Sequence, residues 1–215
     1  MSRPPVIAVD GPAAAGKGTL ARRLAAELGL PYLDTGLLYR AVGRRVLDTG
    51  ADPADPAAAE AAALGLTAAD TARGDLRGPE ADRAASAVAA IPAVRAALLD
   101  FQRRFGAQNG AVLDGRDIGT VVFPQAEHKL FVTASPEVRA RRRFLEMQGR
   151  GQAAEYDTVL AEIRARDEQD MNRAVAPLKP APDARLLDTS SLDADAAFAA
   201  AMELLGVAAA GTAGA

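Results

Sequence analysis

Hydrophobic and polar positions alternate in blocks along the chain, and these blocks predict strands separated by helices. Runs of β-branched and aliphatic residues, each closed by a turn or polar residue, lie at 6–10 (VIAVD), 31–36 (PYLDTG), 111–115 (AVLDG), 129–133 (KLFVT) and 185–190 (RLLDTS). None alternates cleanly, which is typical of strands buried on both faces of a parallel sheet. We therefore predict a central five-stranded parallel sheet.

Two stretches with helical periodicity connect these runs. Leu20, Leu24 and Leu28 share one face of a predicted helix over 17–28, with Gly29 as its stop. A second helix is predicted from Pro92 to Gly106, shortly before the strand at 111–115. Since strand, helix and strand follow one another, the crossovers are right-handed, and the fold class is α/β with helices flanking the sheet.

Other parts of the chain are weakly specified. The alanine-rich segment 51–72, with scattered prolines, predicts a helical or mobile excursion outside the sheet. The end, 207–215, lacks anchoring side chains and is expected to be disordered.

Composition narrows the classes of protein. A net charge of −3 gives no broad positive field, so we expect neither nucleic acid nor membrane as a partner. The absence of cysteine excludes disulfides and cysteine-ligated metals, and it suits a cytoplasmic location. The apolar run at 6–9 is too short for a signal peptide or a membrane span.

A phosphate-binding loop is the strongest chemical signal. It follows the first strand, opens the helix at Lys17, and consists of Gly11, Pro12, Ala13, Ala14, Ala15, Gly16, Lys17, Gly18 and Thr19. Its backbone N–H groups and the helix N-terminus can surround an anion, so we expect these residues to bind ATP. This predicts a P-loop NTPase fold with Lys17 at the β- and γ-phosphates; the alternative is a glycine-rich turn with a surface lysine.

The loop departs from the usual pattern at one position. Gly18 stands where a Ser or Thr normally ligates magnesium, and the hydroxyl follows at Thr19. No direct metal ligand is therefore assigned. Thr19, Asp34 and Asp114 could hold Mg²⁺ through water, and the two carboxylates could equally be strand-end turn residues.

Three motifs then carry a family resemblance: LDTGLLYR at 33–40, LDGRDIGTVVFP at 113–124 and RDEQDMNRAVAPL at 166–178. With the GKGT form of the loop, the chain closely resembles the bacterial cytidylate kinase family, outside 51–72 and the tail. The resemblance implies phosphoryl transfer from ATP to CMP or dCMP, with Mg²⁺ accompanying ATP. These nucleotides are then the expected partners, and we expect a monomer.

The resemblance also implies a domain plan. We expect a single P-loop kinase domain over 1–206, with a core at about 1–40 and 92–206, a reduced NMP-binding insertion at about 41–91, and an arginine-rich lid at about 139–165. The family's insertion is usually stranded, whereas this one is short and rich in alanine.

The resemblance assigns an acceptor site for CMP. Its residues are Thr35, Tyr39, Arg40, Ser86, Arg95, Arg116, Asp117, Arg166, Asp170 and Arg173. Asp117 can accept from the exocyclic amine of cytosine, where uracil presents a carbonyl. Ser86 and Arg95 lie beside the same base in the family; without the family they would be a small helix residue and an exposed charge.

Arg166, Asp170 and Arg173 are spaced to share one face of a helix, and Glu162 extends the stripe. In the family, the aspartate holds a sugar hydroxyl and the arginines serve phosphate and base. The alternative is a surface helix with exposed ion pairs.

The stretch 138–144, VRARRRF, carries Arg139, Arg141, Arg142 and Arg143 on a predicted helix after the strand at 129–133. It is either a solvated basic face or the start of the lid, and we favour the lid, with Arg143 reaching the phosphates. The expected catalytic residues are Lys17, Arg116, Arg143 and Arg166. No general base is assigned, because a phosphate with a second pKa near ~6 is already mostly a dianion at neutral pH.

Other classes fit less well. A GTPase switch would need an Asn-Lys-x-Asp guanine reader, which the chain lacks. A kinase for a metabolite hydroxyl would need a base, whereas the motifs supply phosphate-binding arginines. The lone His128 is expected at the surface without a role.

Overall fold

The computed structural model describes residues 5–207. Apart from Val207, the tail that we expected to be disordered lies outside the described residues. Five strands form one sheet: β1 (Val6–Asp10), β2 (Tyr32–Asp34), β3 (Ala111–Gly115), β4 (His128–Thr133) and β5 (Arg185–Asp188).

The sheet has β1 at its centre, in the order β2-β3-β1-β4-β5, and β1 pairs in parallel with both β3 and β4. Asp10 lies opposite Gly115 on β3 and Phe131 on β4, so the polar residues that follow the strands gather at one edge. The predicted five-stranded parallel sheet is confirmed. β5 ends two residues earlier than predicted, because the Asp188 side chain accepts from Ser190 N and turns the chain.

Nine α-helices occupy the part of the chain between the first strand and Val207: α1 (Lys17–Leu28), α2 (Thr35–Asp48), α3 (Pro56–Leu64), α4 (Ala68–Thr71), α5 (Pro79–Ala89), α6 (Pro92–Asn109), α7 (Pro136–Gly149), α8 (Tyr156–Met171) and α9 (Ala194–Leu205). α1 has the predicted bounds. α6 continues past the predicted stop at Gly106, and the glycine with positive φ that follows it is Gly110.

The chain divides into two compact units. The first comprises Met1–Leu33 with Asn109–Ala215, and the second comprises Asp34–Gln108. The core of the first unit packs α1 and α9 against the sheet, with Ile7, Leu24 and Leu130 fully buried.

The second unit has its own core, in which α2, α3, α5 and α6 pack together through many small side chains. This unit is wider than the insertion expected at 41–91, because Leu38 on α2 and Leu98 on α6 belong to the same core.

The alanine-rich segment is helical, as one of the two interpretations predicted. Asp55 accepts from Ala57 N at the start of α3, and Asp70 accepts from Thr67 N at the start of α4. Residues 35–108 contain no strand, so this insertion differs from the stranded form expected for the resembled family.

Between residues 5 and 207, no single helix is long and apolar enough to cross a bilayer; α5 and α6 meet that criterion only as a pair bent by 96°.

Candidate active site

The phosphate loop wraps around its own lysine. Lys17 opens α1, is 5% exposed, and donates from Nζ to the carbonyl of Pro12 at 2.7 Å. Ala14 has a φ of 59°, a left-handed conformation that a residue with a Cβ rarely adopts. The loop therefore has an uncommon backbone conformation at Ala14, and its lysine is bound to the loop through Pro12 O.

The charge of Lys17 is destabilised in this setting. Burial lowers the pKa of Lys17 to about 7, and the positive charge of Arg116 and, more weakly, Arg166 acts in the same direction, against Asp114 and Asp10. An ammonium group that is buried among other cations is stabilised by an anion. The electrostatics thus favour a polyphosphate at this loop.

The glycine at position 18 has a steric cause. A Cβ on Gly18 would lie 3.1 Å from Oδ2 of Asp114 and 3.6 Å from the hydroxyl of Tyr32. That hydroxyl donates to the same carboxylate oxygen at 3.3 Å. A serine would crowd this carboxylate, so the departure from the usual loop sequence reflects the close approach of Asp114.

The residues fit a magnesium ion that arrives with ATP. Mg²⁺ keeps several waters and usually takes one or two carboxylates plus phosphate oxygens. Asp114 is 8% exposed and supplies a carboxylate next to the loop, whereas Asp34 caps α2 by accepting from Leu37 N and pairs with Arg40. Within 5–207, no group of three or more His, Cys, Asp or Glu side chains forms a cage, and this class of site needs none.

Asp170 is the centre of an arginine cluster in the first unit. It accepts from Arg116 Nε and from Arg173, each at 2.9 Å. Burial by itself would raise the pKa of Asp170, but Arg116, Arg173 and Arg166 outweigh burial and lower it. The side chains of Asp170 and Arg173 are 7% and 6% exposed, so the interpretation as an exposed helical ladder is wrong.

One detail of the predicted stripe is also wrong. α8 ends at Met171, so Arg173 does not lie on the helix with Arg166 and Asp170. The carbonyl of Asp170 accepts from Leu178 N at 2.8 Å, which draws the following chain back over the helix end. Arg173 reaches Asp170 from this loop rather than from the next helical turn.

Asp117 lies just beyond β3 and is 5% exposed. It precedes a π-helical turn, Ile118–Val122, and its carbonyl accepts from Val121 N and Val122 N. The side chain predicted to recognise cytosine is therefore fixed at the start of a short, irregular helix, a type of element that is frequent at functional sites.

The second unit brings together two of its predicted residues. The Arg95 guanidinium lies over the ring of Tyr39, 5.6 Å from its centroid, and donates to Ala89 O. Arg95 is 9% exposed, so its interpretation as an exposed charge is wrong. Ser86 on α5 and Thr35 at the start of α2 are buried as well.

The basic helix α7 is only partly a solvated face. Arg139 is 3% exposed, pairs with Asp167, and donates to Ala13 O in the phosphate loop at 3.2 Å. Arg141 is exposed, and Arg143 pairs with Glu146 on its own helix at 3.2 Å. The contact of Arg143 with phosphates stays a prediction.

Sequence reasoning missed Thr189, which holds the loop from outside. Thr189 donates to Ala15 O at 3.1 Å and accepts from Arg142 at 3.0 Å. The available signal was its position directly after β5, at the strand edge where the loop also lies. Next to these residues is a pocket of about 230 Å³, whose lining includes Gly16, Thr19, Arg142, Thr189 and Leu192.

Comparison with known proteins identifies the family of this chain. A family model described as cytidylate kinase matches residues 7–206. The cytidylate kinase of Acidiphilium cryptum is 68% identical over 205 residues, covering 95% of this chain and 97% of that protein. The cytidylate kinase of Paramagnetospirillum magneticum is 67% identical over 205 residues, covering 94% and 97%.

Solved structures share the fold. An uncharacterized protein from Eubacterium ventriosum has a TM-score of 0.56 at 13% identity, covering 95% of this chain and 99% of that one. A gluconokinase from Sinorhizobium meliloti has a TM-score of 0.50 at 16% identity, covering 96% of each. The parallel sheet with its phosphate loop is thus a P-loop kinase fold, and the family match over nearly the whole described chain shows that the protein belongs to the cytidylate kinase family.

Proposed function

We propose that the protein transfers the γ-phosphoryl group of ATP to CMP or dCMP, giving ADP and CDP or dCDP. Family membership makes it an ATP-dependent nucleoside monophosphate kinase. The observation that carries the proposal is the buried Lys17, held by its loop, together with the Asp170 arginine cluster in the same unit.

The donor is proposed to bind at the phosphate loop. Backbone N–H groups of residues 11 and 13–19 and Nζ of Lys17 bind the phosphates, and the pocket lined by Thr19 and Arg142 takes the rest of ATP. Mg²⁺ supplies charge neutralisation on the β- and γ-phosphates when it is bound, and Asp114 is the residue placed to hold it through water.

The acceptor phosphate is proposed to bind arginines. Arg116 and Arg166 neutralise it, while Asp170 accepts from a sugar hydroxyl and Arg173 supports the base or phosphate. Asp170 fixes two of these guanidiniums before any substrate arrives, because it already accepts from Arg116 and Arg173. Such preorganisation lowers the cost of ordering long side chains.

The base is proposed to be recognised through a carboxylate. Asp117 accepts from the cytosine amine, and Ser86 and Arg95 are assigned to the same base, with Thr35, Tyr39 and Arg40 completing the acceptor set. A uracil carbonyl facing Asp117 would leave two acceptors unpaired, which costs enough to discriminate. The burial of Asp117, Ser86 and Arg95 supports this assignment.

The chain's part in the chemical step is positioning and charge neutralisation. The acceptor phosphate needs no general base, since its second pKa of about 6 leaves it largely a dianion at pH 7. We propose that Lys17, Arg116 and Arg166 neutralise the transferring group, and that the segment 139–165 acts as a lid that delivers Arg143.

A steady-state coupled assay with CMP, dCMP, UMP, AMP and GMP as acceptors tests the proposal. We expect CMP or dCMP to give the highest kcat/KM and the purine nucleotides to give little turnover. A preference for AMP or GMP would contradict the assignment of the base site.

The base assignment is tested separately with Asp117→Ala. The ratio of kcat/KM for CMP to that for UMP should fall about ten-fold or more, because the contact that rejects uracil is removed. Glu203→Ala removes an exposed carboxylate on α9 and serves as the control, with an unchanged ratio. An unchanged ratio in Asp117→Ala would remove this residue from base recognition.

We further infer a cytoplasmic monomer whose partners are nucleotides, without nucleic acid or membrane. The net charge of −3 supports the absence of nucleic acid and membrane as partners, and a chain without cysteine suits the cytoplasm. Analytical ultracentrifugation of the purified protein tests the monomeric state, and a sedimenting dimer would contradict it.

A further inference from the structure

Asp10 is a buried carboxylate to which the reaction assigns no role. It is the last residue of β1, it directly precedes the phosphate loop, and it is 4% exposed. Its two oxygens accept from Ile118 N at 2.8 Å and from Gly119 N at 2.7 Å. Both bonds are short and buried, so the carboxylate is firmly attached to a segment distant in sequence.

The two N–H donors lie directly after Arg116 and Asp117 in the chain. Ile118 and Gly119 open the π-helical turn, where the first N–H groups of a helix have no partner within the helix. The residues immediately before them are Arg116 and Asp117. Asp10 therefore links the strand that leads into the phosphate loop to the segment that presents an arginine and the proposed base reader.

Close packing confirms that this link has little freedom. A Cβ on Gly119 would lie 3.3 Å from Oδ2 of Asp10 and 3.1 Å from Cδ of Lys129. Lys129 in turn donates from Nζ to Pro124 O and to Asp183. The turn after Asp117 is thus held from β1 on one side and from β4 on the other.

Burying the charged carboxylate of Asp10 costs electrostatic free energy. Burial raises the pKa of Asp10 to about 7; the Gly119 and Ile118 N–H groups oppose this, the charge of Asp117 adds to it, and Lys17 opposes it. A neutral side chain would avoid the cost of burial but would not accept two N–H bonds on two oxygens.

We propose that Asp10 is a positioning residue: through Ile118 N and Gly119 N it fixes Arg116 and Asp117 relative to the phosphate loop before nucleotides bind. This inference rests on the acceptor roles proposed for Arg116 and Asp117. It predicts that replacing Asp10 impairs the binding and turnover of CMP, although Asp10 itself contacts no substrate.

The test is Asp10→Asn, which keeps the size of the side chain but replaces one acceptor oxygen by an N–H donor. One backbone N–H then loses its partner and faces another donor. We expect kcat/KM for CMP to fall about ten-fold or more in the folded variant, with KM for CMP raised, while ATP binding without acceptor changes less. Normal KM and kcat for CMP would overturn the proposal, whatever the change in Tm.

Asp55→Asn is the matched control, because Asp55 also accepts from two backbone N–H groups but lies at the exposed start of α3. It should leave kinetics unchanged. If Asp10→Asn does not fold, Gly119→Ala perturbs the same link from the other side and should raise KM for CMP; an unchanged KM would overturn the proposal.

Arg116→Ala distinguishes an error in the role of Asp10 from an error in the acceptor site. If it raises KM for CMP while Asp10→Asn does not, the proposed function stands and the role of Asp10 is wrong. If Arg116→Ala itself leaves KM and kcat for CMP unchanged, the acceptor assignment on which the Asp10 proposal rests is wrong.

Discussion

The two compact units hold their functional side chains by different physical means. In the first unit, the charged groups Lys17, Asp114 and Asp170 are buried, and they are held by a backbone carbonyl, a tyrosine hydroxyl and an arginine, respectively. In the second unit, Ser86 and Tyr39 lie on helices that pack through small side chains. We therefore propose that phosphate binding in the first unit depends on electrostatics, and that the placement of Ser86 and Tyr39 in the second unit depends on helix packing.

The largest effect is expected at Lys17, in the first unit. Lys17→Ala should lower kcat by about 10²- to 10³-fold or more, because a cation at the transferring phosphate is lost. The variant should stay folded, since the removed ammonium group is buried at a cost. Steady-state turnover and a circular dichroism melt measure both effects.

Lys179→Ala, which removes an exposed lysine of the first unit, should keep the activity of the unchanged protein. Near-normal kcat in Lys17→Ala would contradict the role of the loop lysine.

The buried arginine of α7 tests electrostatic support of the loop. Arg139→Ala leaves Asp167 without a buried partner and removes a donor to Ala13 O, so unfolding free energy should fall by about 3 kcal/mol or more. Denaturant titration gives the value. A decrease in unfolding free energy no larger than that for an exposed ion pair would show that Arg139 does not stabilise the loop.

Helix packing in the second unit is tested with Gly43→Ala. The new Cβ would lie 2.8 Å from Cβ of Ala84, so α2 and α5 must separate, at a cost of about 1–3 kcal/mol. Since Ser86 lies on α5, KM for CMP should rise while kcat at saturating CMP changes little.

Gly74→Ala is the control within the same unit, because a Cβ there would contact nothing within 4 Å. A Gly43→Ala variant that melts and binds CMP like the unchanged protein would show that close helix packing does not place these residues.

The lowered pKa of Lys17, about 7, predicts a proton effect on binding. Because the pKa of the free lysine is lowered toward neutral pH, a bound polyphosphate should restore the lysine's charge at pH 8, so binding should take up protons. Titration calorimetry of tripolyphosphate in buffers of different ionisation enthalpy measures the uptake, which Lys17→Ala should lack.

The same shift has a consequence for stability. Between the folded pKa of about 7 and the ordinary value of 10.5, the unfolded chain binds more protons at Lys17 than the folded chain, so this group's contribution to stability rises with pH. In the tripolyphosphate titration, equal proton uptake by the unchanged protein and by Lys17→Ala would contradict this assignment of the lowered pKa to Lys17.

The smallest effect is expected at the exposed ion pairs of the second unit. Arg73 pairs with Asp48 and Asp75 at the surface, where solvent and salt screen the charges. Arg73→Ala should change Tm and kinetics within experimental error. A destabilisation as large as that of Arg139→Ala would show that an exposed ion pair of the second unit stabilises the protein as much as a buried one of the first.

The features that the sequence predicted correctly depend on residues close together in the chain. The hydrophobic runs located all five strands, and the spacing of Gly11, Gly16 and Lys17 located the phosphate loop and the start of α1. These signals are local, because a buried strand or a strand–loop–helix turn leaves its pattern within a few residues.

The features that reasoning missed depend on distant residues. Asp10 and Ile118 are 108 positions apart, and Thr189 and Ala15 are 174 apart, so no local pattern indicates either contact. The end of α8 before Arg173 depends on the bond from Leu178 N to Asp170 O, which helical spacing does not register.

We propose that the loop lysine and the arginines bring the phosphates of ATP and CMP together for one phosphoryl transfer. Following labelled γ-phosphate from ATP in the presence of Mg²⁺ and CMP tests it most directly. The account predicts that the label appears in CDP with the unchanged protein and is nearly absent from CDP with Lys17→Ala. Label that appears only in inorganic phosphate, with no CDP formed, would contradict the account.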